Sequence, residues 1–263
     1  METGRHATTA IEDDLVRRFL ENHAAANAVI ARACGGRTAG TDDVALADAS
    51  SVVPYLNQAV LRRPVLDAAD PVLDEIDAFF TGRTRPAGPA TVLSWWPTPD
   101  CSARGWHRIG HPAFVVRAPA AVPAFARPGV EVQEVRDAAA LAQAERVAID
   151  GYPVPGAEGL PAGAVLPPAL LDGPVRYRLG LLDGEPVGVA GSHVSHGVVN
   201  LCLAATLPAA RRHGVWASLV WTRVADAPDL PAVAFTSDDS RPGFVRLGFV
   251  VVRRLTLWLR PPG

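Results

Sequence analysis

The stretch Leu201 to Leu219, LCLAATLPAARRHGVWASL, constrains this chain more than any other. Leu201, Leu203 and Ala205 alternate with Cys202, Ala204 and Thr206 in a mostly apolar run of strand length. Pro208 has no N–H to give a ladder, so the strand stops there. Arg211, Arg212 and His213 bring positive charge to the following loop. Gly214 lets a backbone or a ligand approach without a Cβ in the way, and the pattern turns helical from Val215. Any fold must therefore present a strand, a basic turn and a helix N-terminus in immediate succession. Such a turn suits an anion, because the unpaired N–H groups of the first helical turn point outward and the helix dipole favours negative charge there.

With 263 residues, 49% of them hydrophobic, the chain is long enough for one large or two small domains with a real core. A net charge of −2 argues against a nucleic-acid binder working by general charge attraction. Alanine is abundant and lysine absent, the bias of a GC-rich bacterial genome. Cys34, Cys101 and Cys202 lie far apart without a CxxC pair, so neither a disulfide framework nor a metal site is expected, and a reducing, cytoplasmic setting is. Acidic residues stand near the N-terminus where a signal peptide needs an apolar core, and no apolar run reaches membrane-spanning length.

Taken in order, Ile11, Leu15, Phe19 and Leu20 share a face and predict a helix over 11–33, stopped by Gly35-Gly36. Residues 43–53 hold one or two strands. Asp70-Pro71, an apolar face from Val72 to Phe80, and Gly82 predict a second helix. ATVLSWWP and PAFVVRAP read as strands around a turn at DCSARGW. The Pro/Ala-rich segment from Ala118 to Gly129 reads as a semi-rigid connection, dividing the chain into 1–120, a linker at 121–128, and 129–263. VEVQEVRD then predicts a strand, and DAAALAQAERVAIDGY a helix capped by Asp137. Residues 153–174, rich in Pro and Gly, form a long ordered loop with one helical turn near 168–171. VRYRLGLL, PVGVAGSHVS and VVNLCLAAT are strands turned at Asp183-Gly184 and His196-Gly197. A helix from Gly214, the strand LPAVAFTS, a short helix in SRPGFVRLG and one final strand FVVVRRLTLWL complete a mixed α+β chain.

Two blocks resemble the GNAT superfamily of acyl-CoA-dependent N-acyltransferases. The first runs from Thr206 to Trp216 and is similar to the family's R/Q-x-x-G-x-G/A turn, which follows a strand and opens a helix. The second, Ser237 to Phe249, resembles the late helix that usually ends Y-x-x-L-G-F. The resemblance covers residues 129–263 and implies a mostly antiparallel sheet flanked by helices. ARGWHRIGHPAFVVR and the helix at 71–82 mimic the corresponding parts of the C-terminal half, which suggests a tandem whose degenerate N-terminal half lacks the R-x-x-G loop.

The resemblance implies an acetyl-CoA donor and a small-molecule primary amine as acceptor, joined by direct attack in a ternary complex without a metal. Arg211, Arg212, His213, Gly214, Val215, Trp216 and Ala217 would receive the pyrophosphate, and backbone groups of Ala204 and Thr206 the pantetheine arm. Ser237 and Ser240 stand at positions that contact CoA in relatives, and Phe244 is expected to join the cofactor-binding set. Phe244 replaces the family's tyrosine and has no proton to give the thiolate, and Trp216 replaces a small residue at the point of closest approach. No carboxylate lies on Val198–Ala205, so the base candidates are His193, His196 and Asp238, with Tyr152 and Glu158 in the long loop. Two alternatives stay open: an inactive GNAT-fold binding or regulatory protein, and an aminoacyl-tRNA-dependent transferase, which the acidic balance disfavours. Homodimerisation stays open as well.

Overall fold

The computed structural model describes residues 11–82 and 88–262; residues 1–10, residues 83–87, Gly263 and the side chains of 11–13, Ile11 among them, lie outside the described residues. Two sheets arise from two hairpin systems. In the first, β1 (Arg37–Gly40), β2 (Val44–Asp48) and β3 (Asn57–Leu61) form an antiparallel meander. Helix α2 (Pro71–Thr81) then leads to β4 (Ala90–Ser94), which is parallel to β3, and β5 (His107–Gly110) and β6 (Ala113–Arg117) follow. In the second, β7 (Val130–Glu134) and α3 (Ala138–Gly151) precede the meander β8 (Val175–Leu182), β9 (Glu185–Ser195) and β10 (Val198–Thr206). Helix α4 (Val215–Val224) leads to β11 (Ala232–Thr236), parallel to β10, and α5 (Arg241–Arg246), β12 (Val250–Arg254) and β13 (Thr256–Arg260) close the chain.

The strand orders are β1-β2-β3-β4-β13-β5 and β12-β6-β11-β10-β9-β8-β7. Each half therefore places its last strand in the sheet of the other. β13 pairs with β4 and β5, and β6 pairs with β11 and β12. The two halves are topological copies: a hairpin, a helix, a parallel strand, a turn and two closing strands. Residues 1–120 and 129–263 each contain one strand of the opposite sheet, and residues 118–129 connect them without regular structure.

One expectation is corrected here. The apolar run FVVVRRLTLWL is not one strand but two, β12 and β13, in different sheets. Leu255 between them is fully buried and its N–H donates to the carbonyl of Pro112, so the chain turns through the core rather than around it. No Gly or Pro marks such a crossing, because both strands keep an extended backbone. Three short strands carry no readable signal either: β1, β3 and β5. β3 is buried on both faces, and Asn57 and Gln58 break its apolar run.

Helix α1 (Ile11–Ala33) lies between the sheets, packing against β2 and β3 on one side and β9 and β10 on the other. Phe19 and Leu20 share a core with Val60, Leu93, Phe114, Val198 and Leu255, drawn from both halves. The helix starts follow the sequence: Asp70 caps α2 by accepting from the N–H of Val72, and Asp137 caps α3 by accepting from that of Ala140. Gly180 and Gly188 let α4 lie directly on the sheet, since a Cβ at either would come within 2.6 Å of Val215 Cγ1. The loop 153–174 is ordered from below by buried Glu145, whose carboxylate accepts from the N–H groups of Gly163, Val165 and Leu166.

Because Leu255 sits where the two closing strands cross, Leu255→Ala is expected to lower unfolding free energy by about 2–5 kcal/mol in urea titrations, with both halves lost in one transition. Independent melting of the halves would contradict the exchange of strands.

Candidate active site at the parting of β10 and β11

β10 and β11 pair only at Val199–Ala232 and Asn200–Val233. Beyond Asn200 the edge of β10 that faces β11 has no ladder partner, and a bulge at Leu203, φ 37°, turns the strand away. Ala204 is exposed in this opening. The cleft leads from its foot at Asn200 to the N-terminus of α4.

That N-terminus is open. Gly214 precedes it with φ +92°, no side chain among the described residues caps it, and Arg212 also takes positive φ, at +71°. A Cβ on Gly214 would come 2.8 Å from Cγ of Arg127, so the connecting segment drapes a further arginine over the turn. Arg127 stacks on Phe125, and neither it nor Arg212 makes an ion pair among the described residues. Arg211 is used differently: it donates to the carbonyls of Thr206 and Gly151 and so ties the loop to the end of α3. His213 is exposed and bonds through Nδ1 to the carbonyl of Arg211. Thr206 ends β10 with a buried hydroxyl that has no partner among the described residues.

Val215 is buried against the sheet, and Ala217 is half-buried on the first turn of α4. Trp216 reaches across from α4 to α5. Its ring lies edge-on to Phe244, centroids 4.9 Å apart, and a Cβ on Gly243 would come within 2.9 Å of the indole. The indole thus bridges the two helices that follow the two arms of the cleft. Phe244 is buried beneath it and meets Phe249 edge-on, centroids 5.0 Å apart. Ser237 holds the turn before α5, accepting from the N–H of Ser240.

The base candidates do not gather at α4. Asp238 is exposed and ion-paired to Arg254 at 2.6 Å, which holds its carboxyl below the usual range. His193 lies opposite Asn200 in the β9–β10 register, and His196 lies in the hairpin beyond it. At about 3.3 Å per residue, Asn200 stands roughly 13–20 Å from Ala204–Thr206. Both histidines are therefore at the foot of the cleft or below it. His193 is buried, with Nδ1 3.2 Å from the carbonyl oxygen of Asn22, and burial pushes its pKa down. His196 is exposed. Tyr152 and Glu158 are exposed as well; Tyr152 meets Tyr55 of the first half, and Glu158 accepts from the N–H of Gly156.

The structure adds two groups that sequence alone did not single out. Arg223 of α4 is buried and donates to the carbonyls of Gly191 and Cys202, satisfying oxygens at the bulge. Burial lowers its pKa to about 10, and its Nη2 has no partner among the described residues. On the opposite face, His23 of α1 stands over the foot of the cleft. Its ring meets Phe235 edge-on at 5.3 Å, its Nδ1 is 3.5 Å from Asn200 Nδ2, and its Nε2 is 2.6 Å from Gln58 Oε1. The available signal was the set Asn22, His23 and Asn27, polar residues inside the buried stripe of an amphipathic helix.

Burial pushes the pKa of His23 down from 6.5 to about 4. The native imidazole therefore stays neutral where the unfolded one takes up a proton. Stability is full above about pH 6.5 and falls as pH drops toward 4, by on the order of 3 kcal/mol. His193 adds to the same trend. Urea titrations at pH 7.5 and 5 should show about 2 kcal/mol of this loss, and His23→Gln should flatten it.

No model of a known protein family matches the sequence, and no curated protein matches it. Solved structures do. A GCN5-related N-acetyltransferase from Kribbella flavida superposes with a TM-score of 0.59 at 22% identity, covering 89% of this chain and 96% of that one. A conserved protein of unknown function from Staphylococcus epidermidis gives 0.66 at 11%, covering 86% and 93%. A protein assigned to the GNAT family from Novosphingobium aromaticivorans gives 0.55 at 15%, covering 90% and 98%. With its paired hairpin–helix–strand halves and its parted β10 and β11, this chain has the GNAT fold.

Proposed function

We propose that the protein is an N-acyltransferase that moves an acetyl group from acetyl-CoA to the primary amine of a small molecule. The carrying observation is the uncapped N-terminus of α4, with Arg212 and Gly214 at positive φ, set at the open end of a cleft whose β10 edge is unpaired. A pyrophosphate would accept from the N–H groups of the first turn of α4, with Arg212 and Arg127 adding charge. The pantetheine arm would add to the free edge of β10 as an extra strand does.

A strand N–H near Ala204 would then polarise the thioester carbonyl and stabilise the oxyanion of the tetrahedral intermediate. A neutral amine attacks the carbonyl carbon, the C–S bond breaks, and the surplus proton on the nitrogen passes through solvent to the departing thiolate, so that Phe244 need not supply one. One observation favours a second possibility, a binding protein without turnover: the Trp216 indole occupies the space between α4 and α5.

Calorimetry with acetyl-CoA tests both. Acetyl-CoA should bind, and Gly214→Asp should weaken it at least about tenfold, roughly 1.4 kcal/mol, by adding a carboxylate and a strained Cβ at the turn. No binding at millimolar ligand would sink the proposal. If Trp216→Gly binds tighter and gains turnover on an amine panel, the indole obstructs the site; if it binds more weakly, the indole packs against the ligand.

A further inference from the structure

A second cavity, of about 350 Å³, lies away from the α4 turn, between α1 and the first sheet. Ala24, Ala28 and Ala47 line its wall, and Asn27 and Gln58 its polar floor. One end is closed by the ion pair of Arg62 with Glu21 at 2.7 Å. At the other stands Arg32, exposed and without an ion pair among the described residues.

The floor is polarised in one direction. The Thr91 hydroxyl donates to the carbonyl of Pro54, so it accepts from Gln58 Nε2, 3.0 Å away. Gln58 Oε1 is then the acceptor for both His23 Nε2 and Asn27 Nδ2, at 2.6 and 3.0 Å. His23 Nδ1 is left to accept from Asn200. The amide of Asn27 is thereby oriented, with its nitrogen committed to Gln58 and its Oδ1 without a partner among the described residues. Asn27 is only 7% exposed, but its Oδ1 is not sealed from solvent, so this acceptor stays open to a donor in the cavity that Asn27 lines.

We infer that this cavity binds a small zwitterion, with a primary ammonium on Asn27 Oδ1, a short methylene chain over the alanine wall and a carboxylate on Arg32. Asn27 and Arg32 are five residues apart on one helix, about 7.5 Å along its axis and about 140° around it, a separation that only the longer chain of an ω-amino acid can span. The alanines are what leave the space: longer side chains at 24 and 28 would fill it. The site does not depend on acyl-CoA binding, although His23 links its floor to Asn200 at the foot of the cleft.

Titration calorimetry on the full chain with 5-aminovalerate, n-pentylamine and valerate tests this. 5-Aminovalerate should bind saturably, and each singly charged analogue at least about fivefold more weakly. Ala28→Leu, a helix-compatible change at a half-buried position, should abolish binding while leaving thermal stability and acetyl-CoA affinity unchanged. Arg32→Gln, on the surface, should weaken 5-aminovalerate about fivefold and leave n-pentylamine unchanged. Absence of saturable 5-aminovalerate binding up to about 20 mM would overturn the inference. So would valerate binding as tightly as the zwitterion, or unchanged binding by Ala28→Leu.

Discussion

The exchange of closing strands is the constraint on which the rest of this structure depends. β6 lies between β11 and β12, so β11 is held on its far side by a strand from the other half of the chain. Only its near side, toward β10, is left to part. The cleft therefore opens beside a fixed strand rather than at a loose edge. The same exchange brings α1 between the sheets and makes one core of residues from both halves. The first half is thus part of the wall of the second half's cleft rather than an appendage to it.

Opening a sheet leaves backbone groups without partners, and each buried one must be satisfied. On the α4 face, Arg223 meets the carbonyls at the bulge. A buried guanidinium with no carboxylate within ion-pair distance among the described residues is expensive. Its position suggests what it is there for: holding β9 and β10 in register where the bulge would otherwise loosen them. On the α1 face, Asn200, His23, Gln58 and Thr91 form a chain of side-chain hydrogen bonds that joins the two sheets. The foot of the cleft is fixed from both faces, while at its open end the ring contact of Trp216 with Phe244 joins α4 to α5.

Most regular elements were legible because their signals are local. The caps at Asp70 and Asp137, the Asp183-Gly184 turn and the strand–turn–helix at 201–219 each declare themselves within a few residues. The division of the final apolar run into β12 and β13 was not legible, since partner choice between two sheets leaves no mark on period-two alternation. Within the candidate site, the turn residues Arg212 and Gly214 were readable from sequence. Arg127 was not, because only folding brings it over Gly214 from the connecting segment. Nor was the role of Arg211: a basic loop residue looks the same whether it faces an anion or two carbonyl oxygens. His23 was hidden by distance, as it meets Asn200 from the other end of the chain.

The central claim is that acetyl-CoA lies along β10 and ends at the N-terminus of α4. Hydrogen–deuterium exchange of the full chain, with and without saturating acetyl-CoA, tests it most directly. The account predicts slowed exchange in two places, at the free-edge amides of residues 203–206 and at the first-turn amides of residues 214–217. Protection confined to other segments, or none at all under saturation, would contradict it.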